Sequence, residues 1–150
     1  MRIVLPEGEH PVILRAAHRA FKEGIAQPVL LGEETAIRSL AADLGIPLEG
    51  LAILDHRRSE HREAFAAKLF ARRQRKGWTR AETRAQLQNP YVFGAMLVAE
   101  GMVDGQVHGI AQTYPNAIRP VLQVIPLRSG VARVAAQYGL AMLLYHEGRA

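Results

Sequence analysis

The sequence lacks cysteine, has few aromatic residues and contains no long apolar run. The absence of cysteine excludes disulfides, thiolate metal sites and a cysteine nucleophile, and it is compatible with the cytoplasm, where we expect the protein to reside. Because a membrane-spanning helix needs about 20 consecutive apolar residues, we expect no membrane span. Neither a Gly-x-x-x-x-Gly-Lys-Ser/Thr nor a Gly-x-Gly-x-x-Gly pattern occurs, which argues against nucleotide hydrolysis and plain dinucleotide binding. The six histidines form no His-Glu-x-x-His pair, so the sequence predicts no metal site.

The charge of the chain is concentrated in one segment. Residues 56–84 hold ten Lys or Arg against three Glu, whereas the rest of the chain holds nine against eleven acidic residues. Such a segment indicates an anionic partner, or else a solvated helix face rich in arginine. No helix-turn-helix, zinc-finger or RNA-motif signature accompanies it, so we expect no nucleic acid partner and favour a small polyphosphate such as a coenzyme. Binding of an anionic polymer by this segment is a further hypothesis.

Short apolar strands alternate with amphipathic helices over the first half of the chain. We predict strands at 2–5, 28–31 and 51–54, and helices that begin at Pro11 and cover 37–44. This alternation is typical of parallel βαβ units, whose right-handed crossovers place helices on the sheet faces. The sequence therefore predicts an α/β fold, a three-layer αβα arrangement with a mostly parallel sheet.

Further helices follow in the second half. The basic stretch 59–76 predicts a long helix that ends at Gly77, and Thr79 and Glu82 have the spacing of a capping box for the next helix. Asn89-Pro90 supplies an N-cap and a first-turn proline for an apolar helix that extends to about residue 100. A strand is predicted at 103–107. Residues 131–145 favour a helix by local propensity. A turn at 146–149 leads us to expect a fragment of a longer sequence, with a frayed natural C-terminus as the alternative.

Two loop-rich segments could carry chemistry. Glu7 and Glu9 follow the first strand, where they are either functional or answer the dipole of the next helix. The second segment, 104–120, leads from a strand into a polar turn and a new helix that carries Arg119, which is either a bidentate ligand of phosphate or a surface arginine. His108, in the same segment, is either a base or ligand, or a hydrogen-bonded filler.

Six ordered segments of the chain form a recognisable pattern. They are Ile3-Val-Leu-Pro-Glu-Gly-Glu9, Gly24-Ile-Ala-Gln-Pro-Val-Leu-Leu-Gly32, Arg73-Gln-Arg-Lys-Gly77, Phe93-Gly-Ala-Met-Leu-Val98, Gly101-Met-Val-Asp-Gly105 and Ile118-Arg-Pro-Val-Leu-Gln123. In this order they resemble the phosphate acetyltransferase family. The resemblance covers almost the whole chain but only the first half of the family's domain, so we interpret residues 1–150 as the N-terminal half of an incomplete phosphotransacetylase-like domain.

The resemblance implies a set of ligand-binding residues. Arg73 and Arg119 match the family's phosphate-and-coenzyme-facing arginines in this half, and Thr113, Tyr114 and Asn116 lie in the adjoining stretch. No catalytic residue is assigned, because the family's serine and aspartate that assist deprotonation belong to the other half. The resemblance also implies a strand over 131–145, against the helix that local propensity favours, and both interpretations stay open.

One dipeptide of the sequence leads to two different functional hypotheses. Tyr114-Pro115 stands where stand-alone transferases carry a Ser/Thr-rich stretch, and this form is similar to the C-terminal domain of multidomain bacterial NADP-dependent malic enzymes. The first hypothesis is therefore a regulatory, acetyl-CoA-binding and oligomerisation domain of such an enzyme, inactive alone, with NADP and a divalent metal bound by the malate-oxidising part. The alternative is a fragment of an active phosphate acetyltransferase. In either case we expect acetyl-CoA or acetyl phosphate as the ligand, no resident cofactor in this part and a homo-oligomer.

Overall fold

The computed structural model describes residues 1–125, so the predictions for 131–145 and 146–149 lie outside the described residues. Its strands are β1 (Arg2–Leu5), β2 (Gln27–Leu31), β3 (Ala52–Leu54) and β4 (Gly105–Gln106). Its helices are α1 (Pro11–Lys22), α2 (Glu34–Leu44), α3 (Arg62–Arg73), α4 (Arg80–Gln86), α5 (Pro90–Ala99) and α6 (Tyr114–Val124), with a 3₁₀ turn at Gln74–Lys76 after α3.

The four strands form one parallel sheet in the order β3-β2-β1-β4. The chain moves outward from β1 through β2 to β3, then crosses back to place β4 on the other side of β1. The strand order thus reverses between β1 and β4, and in open α/β sheets a crevice opens outside the carboxyl ends of the strands at such a point. The segments after β1 and β4 meet there.

The sheet has a hydrophobic core on each face, because successive side chains of a strand point in opposite directions. Val4, Val29 and Leu31 face the layer that contains α3, α5 and α6. Leu5 and Leu30 face the layer that contains α1 and α2. This confirms the predicted three-layer α/β fold with a parallel sheet.

Local signals place the helix ends where the sequence predicts them. Thr79 and Glu82 form a reciprocal capping box at the start of α4, and Asn89 caps α5 with Pro90 in its first turn. Gly45 and Gly77 adopt left-handed backbone conformations after α2 and after the 3₁₀ turn. These contacts satisfy backbone groups that a helix end leaves without a partner.

The helix predicted over 59–76 and the strand predicted over 103–107 are both shorter in the structure. The helix predicted over 59–76 begins only at Arg62, and its last turn is the 3₁₀ turn. The strand predicted over 103–107 is reduced to Gly105–Gln106, which in the described part of the chain pairs with β1 alone.

No helix among residues 1–125 is long and apolar enough to cross a membrane.

Candidate functional site

Two neighbouring clefts lie against α6 and share Arg119 and Gln123. The first, here called the amide cleft, has a volume of about 750 Å³ and lies between the α4–α5 junction and α6. The second, here called the cationic cleft, has a volume of about 410 Å³ and lies between the end of α3 and α6. Arg73, Lys76 and Arg119 line the cationic cleft, so the two arginines singled out from the sequence face one cavity.

Arg73 joins the end of α3 to the end of α6. Its Nε donates to the carbonyl of Gln123 at 2.5 Å, and one terminal nitrogen donates to the carbonyl of Leu122 at 2.9 Å. Its guanidinium also lies 5.8 Å from the centre of the Trp78 ring. The last carbonyls of a helix attract a cation, so this contact fixes both the arginine and the helix. Since a guanidinium has five N–H groups, it keeps donors for a ligand.

Arg119 differs from Arg73 because it makes no hydrogen bond or ion pair with any residue that the structure describes. Its side chain is exposed, and it lines both clefts. Lys76 is likewise exposed and without a partner in the described part of the chain. Two unneutralised cations beside a third that is only partly engaged make the cationic cleft suitable for an anion with several negative oxygens.

Carboxamide side chains dominate the amide cleft. Of the ten Asn and Gln residues of the sequence, six line it: Gln86, Gln88, Asn89, Gln112, Asn116 and Gln123. Only Asn89 uses its side chain within the described part of the chain, where it accepts the N–H of Tyr91 at 2.9 Å. The others remain available as neutral donors and acceptors. Among the described lining residues of both clefts there is no carboxylate and no histidine.

The other residues predicted from the sequence lie around the start of α6. Thr113 is the N-cap residue, is exposed and makes no capping bond with its side chain. Asn116 lies in the first turn and lines the amide cleft. Tyr114 begins the helix, but its side chain is outside what the structure describes. The structure thus brings Arg73, Arg119 and Asn116 to adjoining clefts, and Thr113 to their margin.

Glu7 has a role that the sequence interpretation did not identify. Its buried carboxylate accepts four hydrogen bonds: from the Tyr91 hydroxyl at 2.9 Å, and from the N–H groups of Gly109, Ile110 and Ala111 at 3.0, 3.2 and 2.9 Å. Of the two alternatives stated for Glu7, the structure shows contacts with the loop after β4, whereas the first turn of α1 is capped by His10, whose Nδ1 accepts the Val12 N–H. The sequence signal that could have found this role is a carboxylate two residues after the strand that borders the reversal of strand order.

The protonation state of this cluster follows from its contacts. Burial by itself raises the pKa of Glu7, but the N–H of Ala111, the Tyr91 hydroxyl and the N–H groups of Gly109 and Ile110 outweigh burial, and the pKa lies below the usual 4.5. Burial and the neighbouring Glu7 carboxylate both raise the pKa of Tyr91. At neutral pH the pair is therefore a carboxylate and a phenol. His108 packs its ring against Tyr91, and burial lowers its pKa.

Most of the basic segment is engaged within the molecule. Arg62 donates to the carbonyls of His56, Leu87 and Arg84, and Arg80 lies over the Phe70 ring. Further partners are carboxylates: Asp55 for Arg58, Glu100 for Lys68 and Arg72, and Glu63 for Arg84. Within the described residues, Arg57, Arg75 and Lys76 are the cations of this segment whose side chains lack a partner. Much of the local charge excess thus serves packing.

In residues 1–125 no group of three or more His, Asp and Glu is placed to hold a metal ion.

The fold and the clefts define a class: a three-layer α/β domain with a cleft lined by cationic side chains beside the helix that follows β4. A model of the family described as "Phosphate acetyl/butaryl transferase" matches residues 1–147, and the chain belongs to this family. The family resemblance stated from the six segments is therefore confirmed.

Relatives and solved structures agree with this assignment. The chain is 39% identical over 134 residues to a phosphate acetyltransferase of Acetivibrio thermocellus, and 38% identical over 142 residues to one of Deinococcus radiodurans. A Streptococcus pyogenes phosphotransacetylase superimposes with a TM-score of 0.83 at 31% identity over 89% of the chain. The chain spans 40% of the length of the first and third of these proteins and 20% of the second.

Proposed function

We propose that this chain is the phosphate- and coenzyme-binding part of an enzyme that transfers an acetyl group between coenzyme A and inorganic phosphate. The observation that carries the proposal is that Arg73 and Arg119, from separate segments, line one cleft that contains no carboxylate among its described residues. The names of the relatives support it, since they are phosphate acetyltransferases. Both arginines are thus proposed as ligand-binding residues, with Thr113, Tyr114 and Asn116 beside them.

The proposed reaction is a displacement at the thioester carbonyl, and it requires that the phosphate be held in position. A phosphate oxygen attacks the thioester carbonyl carbon, the carbon–sulfur bond breaks, and the sulfur leaves as a thiolate that takes up a proton. Paired guanidinium groups would hold the phosphate in place and offset its negative charge. The carboxamides of the amide cleft would hydrogen-bond neutral polar parts of the substrates. Because the described lining offers no carboxylate or histidine, we assign the proton-transferring group to a part of the enzyme outside the described residues.

The test is the formation of acetyl phosphate from acetyl-CoA and phosphate by the natural full-length protein. Arg73→Ala is expected to reduce kcat/KM by at least about tenfold, because a charge-assisted hydrogen bond contributes about 1.5–3 kcal/mol. Arg15→Ala is a matched control, since Arg15 is an exposed arginine of α1, the helix on the opposite face of the sheet. Absence of transfer by the wild-type protein would refute the proposal, and equal activity of Arg73→Ala and wild type would refute the role of this arginine.

One sequence feature favours a second candidate. Tyr114-Pro115 resembles the form found in the C-terminal domain of multidomain NADP-dependent malic enzymes, as noted above. In that case the chain would bind acetyl-CoA as a regulator and take part in oligomerisation, while another part of the protein would use NADP and a divalent metal to convert malate to pyruvate. We place it second because the named relatives are phosphate acetyltransferases.

The two candidates predict different activities of the full-length protein. The second requires malate-dependent reduction of NADP⁺ whose rate changes when acetyl-CoA is added, and no net formation of acetyl phosphate. The first requires acetyl phosphate formation without any response to malate. Assaying both reactions on one preparation therefore separates them.

A further inference from the structure

We infer that Glu7 is a positioning residue of the phosphate-binding site, whose carboxylate holds Gly109–Ala111 and thereby the start of the helix that carries Asn116 and Arg119. The inference rests on the proposed function, because the site that Glu7 positions is the proposed one. Glu7 lines neither cleft, so it would act on the site through the backbone of the loop after β4.

The first step is the placement of Glu7 in the fold. It follows β1 by two residues, and Gly109–Ala111 follow β4, so the two segments meet where the strand order reverses. Carboxylate and loop are 102 to 104 residues apart in sequence, yet three successive backbone N–H groups donate to the two carboxylate oxygens. Three N–H groups converging on one carboxylate define the course of the loop.

The second step is the electrostatic requirement for a carboxylate. Glu7 is only 9% exposed, and no lysine or arginine pairs with it in the described part of the chain. A buried charge is tolerated only when hydrogen bonds replace its hydration, and here four neutral donors do so. The dependence is mutual, because loss of the carboxylate would leave the N–H groups of Ile110 and Ala111 without the acceptor that they have among the described residues.

The third step connects the loop to the site. In the described residues Ile110 and Ala111 donate their N–H groups to Glu7 only. Gln112 and Thr113 follow at once, and α6 begins at Tyr114. The far end of α6 is held independently, by Arg73 and by the burial of Val124. Loss of Glu7 should therefore displace the start of α6 without unfolding the helix.

The experiment uses Glu7→Gln in the natural full-length protein, with Glu9→Gln as the matched control. Glu7→Gln keeps the size of the side chain but turns an NH₂ group toward backbone donors, so part of the cluster is lost. Glu9 lies two residues away and uses one oxygen, Oε1, to accept the Glu33 N–H at 2.8 Å, which the amide oxygen of a glutamine can still accept. Calorimetric titration measures the affinity for coenzyme A. Hydrogen exchange of the peptide that covers residues 108–113 measures how readily the loop after β4 opens.

For Glu7→Gln we expect the Kd for coenzyme A to rise at least about tenfold, with faster exchange confined to residues 108–113. Glu9→Gln should match wild type in both measurements. If Glu7→Gln does not fold, Glu7→Asp, which keeps the charge on a shorter side chain, should show the same local effects to a smaller degree.

Two outcomes overturn the inference itself, and a third overturns the proposed function on which it rests. Unchanged affinity in a folded Glu7 variant would show that the contact does not position the site. Faster exchange throughout the sheet would show that Glu7 supports the fold in general. Failure of the wild-type protein to bind coenzyme A would instead refute the proposed function, and this is distinguished from the first two outcomes because it appears before any substitution is made.

Discussion

At the scale of single residues, burial and charge decide which titratable groups make the stability of the fold depend on pH. His56 is 2% exposed, and its Nε2 lies 3.0 Å from the carbonyl of Gln88 in the α4–α5 junction, so the neutral ring donates there. Burial lowers its pKa below the usual 6.5, more strongly than the Gln88 contact raises it. The neutral form is thus the folded form, and protonation opposes folding.

We therefore predict that the free energy of unfolding decreases as the pH falls below 6.5. A group with a depressed folded-state pKa contributes stability that is present above its unfolded-state pKa and is lost as the pH falls through the folded-state pKa. His56→Gln keeps a side-chain N–H donor but cannot titrate, so its pH dependence should be weaker. Urea denaturation at pH 7.5 and pH 5.5 measures this difference. An equal loss of stability in wild type and variant would contradict the assignment to His56.

At the scale of elements, the seven-residue helix α4 depends on its cap. A helix this short is marginal in isolation. Thr79 Oγ1 accepts the Glu82 N–H at 3.1 Å, and the Glu82 carboxylate accepts the Thr79 N–H at 2.7 Å. Gln86, the last residue of α4, lines the amide cleft, so the cap also holds part of the cleft wall.

We predict that Thr79→Ala lowers the free energy of unfolding by about 1 kcal/mol, the usual effect of losing an N-cap side chain. Thr35→Ala in α2 is the control, because the exposed Thr35 hydroxyl donates to the side chain of Glu33 and makes no other hydrogen bond with the described residues. Urea denaturation of both variants measures the difference. Equal stability of the two variants would mean that the capping box adds nothing.

The segment between β1 and α1 is a second element under constraint. Gly8 donates its N–H to the carbonyl of Leu31 at 3.1 Å, and a Cβ added to Gly8 would lie 2.6 Å from that same oxygen. The contact is with backbone, which cannot rotate away. Because Glu7 precedes Gly8 directly, a shift here would also move the carboxylate that holds the loop after β4.

Gly8→Ala is accordingly expected to destabilise the protein by about 1–3 kcal/mol, as overpacking does elsewhere. Differential scanning calorimetry should show a lower Tm for the variant than for wild type. A Tm equal to that of wild type would show that the end of β2 moves freely.

At the scale of the whole molecule, the sequence predicted the features that depend on neighbouring residues. The apolar strands, the capping box at Thr79 and the start of α5 at Asn89 involve contacts within a few positions, and periodicity reveals them. The contact of Glu7 with residues 109–111 and the contact of Arg73 with the end of α6 join segments far apart in the chain. Their partners follow only from the strand order and the packing of α6, which periodicity does not encode.

The packing of the whole molecule also shows how the basic segment 56–84 is used. Its charge excess alone was compatible with an anionic partner or with a solvated helix face. The structure shows that arginines such as Arg62 and Arg72 are used to bind carbonyls and carboxylates across elements. In the described residues three cations of the segment lack a side-chain partner, and one of them, Lys76, lines the cationic cleft beside Arg119. This distribution fits a compact phosphate-bearing ligand better than a long polymer.

The proposed function depends most on Arg119, because this arginine has no structural partner in the described residues and lines both clefts. Its most direct test is a calorimetric titration of the natural full-length protein with coenzyme A, comparing wild type, Arg119→Ala and the control Arg15→Ala. We predict that Arg119→Ala raises the Kd about tenfold or more at unchanged Tm, while Arg15→Ala binds like wild type. The same Kd for wild type and Arg119→Ala would contradict the account.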